Sequence, residues 1–330
     1  MTISAGMGLS EFPFSGGKAF WQWVEMCETG KVDSIWQSDR VVSREPHLEC
    51  MSVMAALAGA TKRLKFGMNV ASVGLRDPLL LAKQCATIDV LSNGRLLPAF
   101  GVGSPRAAEW KVTGRESKGA GAMAEEGMEI IWRLWREENV TFHGKYFHLE
   151  GATISPRPVQ PDLPLWIGGS SDAALRRTGR IGTGWQAAGE TPDEIPPVLA
   201  KIRAFAAEYG RKIDFDHFGA GVAFRFGKWD EPIVARQAEA YQKRTGRDPK
   251  LGFAVGDTGV LLERIQAYVD AGISKFILRP MGRDDADFIA QTRRVIDEVL
   301  PEVAKMNAAQ KEQIREQMRS QEKAAGAPQA

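Results

Sequence analysis

Four consecutive residues, Gly168-Gly169-Ser170-Ser171, have the composition of a phosphate loop. They follow the apolar run PLWI and precede an amphipathic stretch opening at Asp172, so they fall where a strand would hand over to a helix. The first backbone N–H groups of a helix lack partners and the helix dipole is positive there, which favours an anion. Glycine lets backbone approach such a group closely, and seryl hydroxyls can donate to it. The same residues also suit an ordinary turn with a Ser or Asp N-cap. Arg40 and Arg279 stand at the ends of apolar runs. Each guanidinium suits a phosphate, sulfonate or carboxylate ligand, or else a structural ion pair, for Arg40 with Asp39. Neither can act as a general acid or base near neutral pH. Trp36, Trp166 and Trp185 lie at or near strand ends, where core packing is the default, and Trp36 is the best placed of them to line a pocket. Gly101 and Gly103 in GVGSP lack the third glycine and the acidic residue of a dinucleotide fingerprint, so a Rossmann reading is rejected.

Groups so far apart in sequence need a scaffold that collects strand ends. LKFGMNV reads as a buried strand, RDPLLLAKQCATIDVLSNG as a helix and RLLPAFGVG as a second strand. Pro78 suits the helix's first turn, Leu79, Ala82, Ile88 and Leu91 recur at helical spacing, and Asn93-Gly94 ends it. Strand, helix and strand over Leu64–Gly103 make one βαβ unit with a right-handed crossover. Further strands are read at GMGLSEF, VDSIWQSD, PLWIGGSS, GWQAAG, FGAGVAFRFG and SKFILRP, with helices at Lys18–Glu28 and Leu48–Ala60. More helices are marked by Val198, Leu199, Ile202 and Phe205, and by Leu261, Ile265, Tyr268 and Val269. Eight strands alternating with helices predict an α/β fold, a single (β/α)8 TIM barrel with its active site at the strand C-terminal ends. The alternation breaks over about residues 104–163, predicting an insertion after the fourth strand, with a helix carrying Met128, Ile131, Trp132 and Trp135 and a hairpin turning at His143-Gly144. Residues 1–305 are expected to form the barrel, and 306–330 a charged helical or frayed tail.

Composition excludes several classes. The chain has 330 residues, 44% hydrophobic and 25% charged, enough for one large core, and a net charge of +2 that predicts no nucleic-acid or membrane partner. No basic segment precedes an apolar run at the N-terminus, and no apolar run could span a bilayer, so a cytoplasmic enzyme is expected. Cys27, Cys50 and Cys85 are widely spaced and read as reduced core thiols. His47, His143, His148 and His217 read as structural or solvated, and no metal site is predicted.

DSIWQSDR, LRDPLLLAKQCATIDVLSNGRLLPAFGVG, GKYFHLEGATISPRPVQPDLPLWIGGSSDAALRRTGRIGTGW and RIQAYVDAGISKFIL together resemble the bacterial luciferase-like flavin-dependent oxidoreductases over roughly residues 5–300. GGSSD is similar to the phosphate loop of the FMN-dependent alkanesulfonate monooxygenases. The resemblance implies a flavin, FMN or the deazaflavin F420, at the barrel mouth, with Asn69, Ala71 and Ser72 against its ring and a non-prolyl cis bond at that strand end in some relatives. It implies Gly101 and Gly103 beside the cofactor and Gly168, Gly169, Ser170 and Ser171 on its phosphate. Arg40 stands where many relatives carry a histidine proposed to work on the substrate, and Lys118 is the one basic residue where relatives carry an arginine. The expectation is an FMN-dependent monooxygenase that oxygenates a small organic substrate with O2. Alternatives are F420-dependent hydride transfer and a catalytically silent flavin binder. A separate NAD(P)H:flavin reductase and a homodimer or homotetramer are expected too.

Overall fold

A computed structural model describes residues 2–309. Its strands are β1 (Ser4–Leu9), β2 (Ser34–Gln37), β3 (Lys65–Met68), β4 (Ala71–Ser72), β5 (Leu96–Leu97), β6 (Ala99–Gly101), β7 (Val140–His143), β8 (His148–Ala152), β9 (Trp166–Gly168), β10 (Gly184–Gln186), β11 (Phe218–Phe226), β12 (Phe253–Gly256) and β13 (Lys275–Pro280). The helices are α1 (Gly17–Thr29), α2 (Cys50–Ala60), α3 (Pro78–Ser92), α4 (Ala108–Val112), α5 (Ala120–Leu134), α6 (Asp172–Ile181), α7 (Ile195–Glu208), α8 (Pro232–Thr245), α9 (Pro249–Gly252), α10 (Thr258–Asp270) and α11 (Asp285–Arg294). After α11 the chain makes a π-type turn over Val295–Val299 and is helical again to residue 309.

All pairings in the large sheet are parallel, in the order β4-β6-β9-β10-β11-β13-β1-β2-β3-β5. The two ends of that order are halves of the same two strands: β3 pairs β5, β4 pairs β6, and each half is separated from its mate by two residues or fewer. The sheet therefore closes on itself as the eight-stave TIM barrel. Between β3 and β4 the Asn69–Val70 peptide is cis.

Helix ends follow their capping chemistry. Asp77 accepts from Leu80 N at 2.8 Å, Pro78 fills the first helical position, and Asn93 ends α3 in the left-handed region at φ 56°. The buried face of α3 differs from the sequence reading: Leu81, Ala82, Cys85, Ala86 and Ile88 face inward, whereas Leu79 and Leu91 are 39% and 65% exposed. Between β11 and α10 the sequence reading also missed α8, α9 and β12, which pairs with the last four residues of β11. Residues 104–163 contribute α4, α5 and the β7–β8 hairpin. Helix α5 is tied to α6 by ion pairs from Arg177 and Arg180 to Glu125, and from Arg180 to Glu129. Of the tail expected over 306–330, residues up to 309 are helical and the rest lies outside the described residues.

Inside the barrel, Trp36, Ala99, Trp166 and Ile277 pack together against Val70 and Leu97 as a floor. The main core lies between staves and helices and includes the three buried cysteines, all free thiols. No helix among the described residues is long and apolar enough to cross a membrane.

Candidate active site

At the C-terminal ends of the staves a cavity of about 460 Å³ opens, within the range usual for small-molecule sites. It gathers residues from six staves: Asn69 and Val70, Gly101, Gly168, Gln186 and Arg279 at or just beyond strand ends, and Ala220 and Gly221 within β11. Of the residues singled out in the sequence, Asn69, Gly101, Gly103, Gly168, Gly169, Ser170, Ser171 and Arg279 line it. Ala71 and Ser72 do not; they are buried behind the wall, where Ser72 N donates to Asp39 Oδ2 at 2.9 Å. Trp36 is not on the wall either: it belongs to the floor, 4% exposed, and its Nε1 donates to Ser34 Oγ at 2.9 Å.

The loop Gly168–Ser171 has the geometry that a close approach to an anion requires. Gly169 has φ 115°, open to glycine and strained for other residues, and a Cβ there would lie 3.3 Å from Ala174 Cβ. Ser171 caps α6, accepting from Ala174 N at 3.3 Å. Ser170 donates its hydroxyl to the Glu190 carboxylate, which also accepts from Ala188 N at 2.8 Å and Gly189 N at 3.2 Å. A Cβ at Gly101 would lie 2.7 Å, and one at Gly168 2.9 Å, from the Val70 methyls. Side-chain-free backbone on two staves thus gives the Val70 side chain its room.

Arg40 is committed elsewhere. Its Nε lies 2.7 Å from Glu109 Oε1, and the Glu109 side chain is 3% exposed. The expected partner, Asp39, instead accepts both Nη groups of Arg76 at 2.6 and 2.7 Å. Register explains the exchange: adjacent residues after β2 diverge, so Asp39 meets the segment after β4 while Arg40 meets α4. Lys118 is exposed, and neither it nor any histidine lines the cavity.

Three polar residues of the wall were missed from the sequence: Gln186, Glu190 and Tyr268. A glutamine inside the short apolar run GWQAAG, in register with Gly168, was the available signal for the first. Tyr268 reads as a helix core residue, and only the packing of α10 reveals its cavity contact; its hydroxyl donates to Glu190 O at 2.7 Å. Burial pushes its phenol up to about 12. Burial, and then the charge of Arg244, pull the Arg279 guanidinium below its ordinary value. Among the described residues, no carboxylate pairs with Arg279.

The luciferase-like monooxygenase family model matches residues 15–328. The chain belongs to that family. Its members are flavin- or F420-dependent oxidoreductases and monooxygenases, so the chain carries an enzyme fold of that class. The chain spans only 59% of the length of uncharacterised mycobacterial proteins to which it is 32% identical over 173 residues. An F420-dependent glucose-6-phosphate dehydrogenase of Amycolatopsis mediterranei is 26% identical over 306 residues, 82% of this chain and 90% of that one. Among solved structures, an F420-dependent secondary alcohol dehydrogenase superposes with TM-score 0.77 at 20% identity, covering 89% of this chain and 98% of that one. The oxygenating constituent of 3,6-diketocamphane monooxygenase from Pseudomonas putida, in complex with FMN, superposes with TM-score 0.74 at 18% identity over 91% and 98%.

Proposed function

We propose that the chain is an FMN-dependent monooxygenase that uses reduced FMN and O2 to oxygenate a small organic substrate. The observation that carries this reading is the composition of the cavity. A phosphate-sized loop at a helix N-terminus leads into a wall of Gly101, Gly168 and Val70, and the site offers no free base. Bound reduced FMN supplies the oxygen chemistry; the chain supplies binding, orientation and exclusion of water. Gly168, Gly169, Ser170 and Ser171 would hold the phosphate through backbone N–H groups and the Ser171 hydroxyl, the Ser170 hydroxyl being given to Glu190. Asn69, Val70, Gly101 and Gly103 seat the ring, with Ala71 and Ser72 supporting that wall from behind.

F420-dependent hydride transfer is the second reading, favoured by the Amycolatopsis relative. Taking a hydride from an alcohol also requires a group for its proton. Glu190 is held by three donors, Tyr268 keeps its proton to about pH 12, and Arg40 is paired with Glu109. Those commitments favour FMN. The deciding experiment measures binding of FMN, FAD and F420 separately, oxidised and reduced, followed by product formation with and without oxygen. Turnover with F420 under anaerobic conditions, together with none from reduced FMN in air, would replace the first reading by the second.

With no dinucleotide fingerprint in the sequence, reduced FMN is expected from a separate NAD(P)H:flavin reductase. Rapid NADPH oxidation by the purified chain with FMN alone would refute this two-component scheme. A homodimer or homotetramer is expected, measurable by light scattering.

A further inference from the structure

Two polar side chains in the cavity have no protein partner, and both lie over the same stave. Gln186 is 2% exposed, and neither its Oε1 nor its Nε2 has a hydrogen bond. Arg279 Nε is likewise buried and unpartnered. A Cβ at Gly219 would lie 2.5 Å from Gln186 Oε1, and one at Gly221 3.0 Å from Arg279 Nη2. These glycines are two residues apart on β11, hence on one face, roughly 7 Å apart along the strand. Gly8, across β13, gives the Arg279 stem its room: a Cβ there would lie 2.9 Å from Cγ.

The Nε of Arg177 and that of Arg40 also lack a hydrogen bond, but each of those guanidinium groups has a carboxylate partner, which Arg279 lacks among the described residues. Arg225 reaches Glu231, Asp287 and Met281 O; Arg177 reaches Glu125 and Gly121 O; Arg76 takes Asp39. A buried charge without a counterion is strongly unfavourable, so an unpaired one facing a cavity marks a place for a ligand anion. The guanidinium fork matches the two oxygens of a carboxylate, and the Gln186 amide adds a donor beside it. One guanidinium neutralises one negative charge. A second negative charge at this position would remain uncompensated. Ala220, Gly221 and Val70 supply the apolar part of the wall beside this pair.

We propose that Arg279 and Gln186 form a subsite for the carboxylate of a small organic acid, which names the substrate class of the flavin-dependent reaction above and rests on that reading.

The test titrates sodium benzoate, and benzamide as its neutral isostere, calorimetrically into the full-length chain, without cofactor and with saturating FMN. Benzoate should bind the wild type at least about tenfold more tightly than benzamide, by the usual advantage of charge-assisted pairing. Arg279→Met should lose at least about tenfold in benzoate affinity and Gln186→Leu a smaller factor, while FMN affinity stays within about threefold. Ligand-free Arg279→Met should melt no lower than wild type, because it removes an unpaired buried charge. If Arg279→Met does not fold, Arg279→Lys is read instead; it keeps the charge, loses the fork, and should weaken benzoate several-fold. Equal binding of benzoate and benzamide overturns the proposal, as does a loss confined to FMN, which would put Arg279 on the flavin. Failure of the wild type to bind FMN or F420 overturns the flavin reading alone, since the benzoate comparison is made on cofactor-free protein.

Discussion

The indole Nε1 of Trp185 donates to the carbonyl oxygen of Gly169 at 2.8 Å, so a side chain of β10 fixes the loop that follows β9. The loop therefore cannot shift to accommodate a larger residue at its tightest point. Gly169→Val should lower flavin affinity by more than about tenfold, since the φ of 115° is strained for a β-branched residue and the added atoms meet Ala174. Fluorescence titration measures the affinity and near-ultraviolet circular dichroism reports the fold; unchanged affinity in a folded variant removes the loop from the cofactor site.

Asp39 and Arg76 form an ion pair whose side chains are 1% and 13% exposed. Removing Asp39 leaves Arg76 with only the half-exposed Glu49, 2.9 Å from its Nη2, so Asp39→Ala should destabilise the chain by about 1–3 kcal/mol in denaturant unfolding. It also takes away the acceptor of Ser72 N, which loosens the wall behind the cavity. A loss below about 1 kcal/mol would mean that the pair is replaced by water.

Arg40 is expected to act on stability and not on chemistry. Arg40→Met leaves Glu109 buried without its counterion, so the midpoint of unfolding should fall while turnover per folded molecule holds. Turnover falling at constant stability would return Arg40 to the reaction.

Tyr268 gives a pH signature. Its folded-state value of about 12 lies above the ordinary value near 10, so the folded chain retains a proton that the unfolded chain releases. Stability from this group is complete below about pH 10 and is lost as pH rises towards about 12. Tyr268→Phe should therefore flatten the alkaline limb of an unfolding curve, while costing about 1 kcal/mol at neutral pH for the lost hydrogen bond to Glu190 O. An unchanged alkaline limb would assign that limb to other groups.

The barrel was legible because period and punctuation agree along much of the chain, as at Asp77-Pro78 and Asn93-Gly94 around α3. The face of α3 was not. Nearly every position in LLLAKQCATIDVL is apolar or small, so spacing alone could not choose Leu81 and Cys85 over Leu79 and Leu91. The segment holding α8, α9 and β12 was missed because its strand pairs only with the extension of β11, α9 is one turn long, and α8 buries only Ile233, Val234 and Tyr241, too few to mark a face. In the site, residues contiguous in sequence, such as Gly168–Ser171, could be read directly. Gln186 and Arg279 could not be joined, because what brings them together is inter-strand register through the glycines of β11. The partner of Arg40 was misread for the same reason: the competing carboxylates lie at similar range only after folding.

The glycine-lined interior also bears on how this scaffold can diversify. A methyl group at Gly67 would sit 2.2 Å from the carbonyl oxygen of Leu97, and one at Gly184 2.7 Å from that of His217. The obstructing atoms are main chain, so a side chain at either position would force the staves themselves to shift. Inherited variation is thereby channelled into residues 104–163 and into the stretch between β11 and β12, where lengthening or exchange leaves the staves untouched. A library confined to those two stretches should yield mostly folded proteins, whereas one that replaces the stave glycines should not.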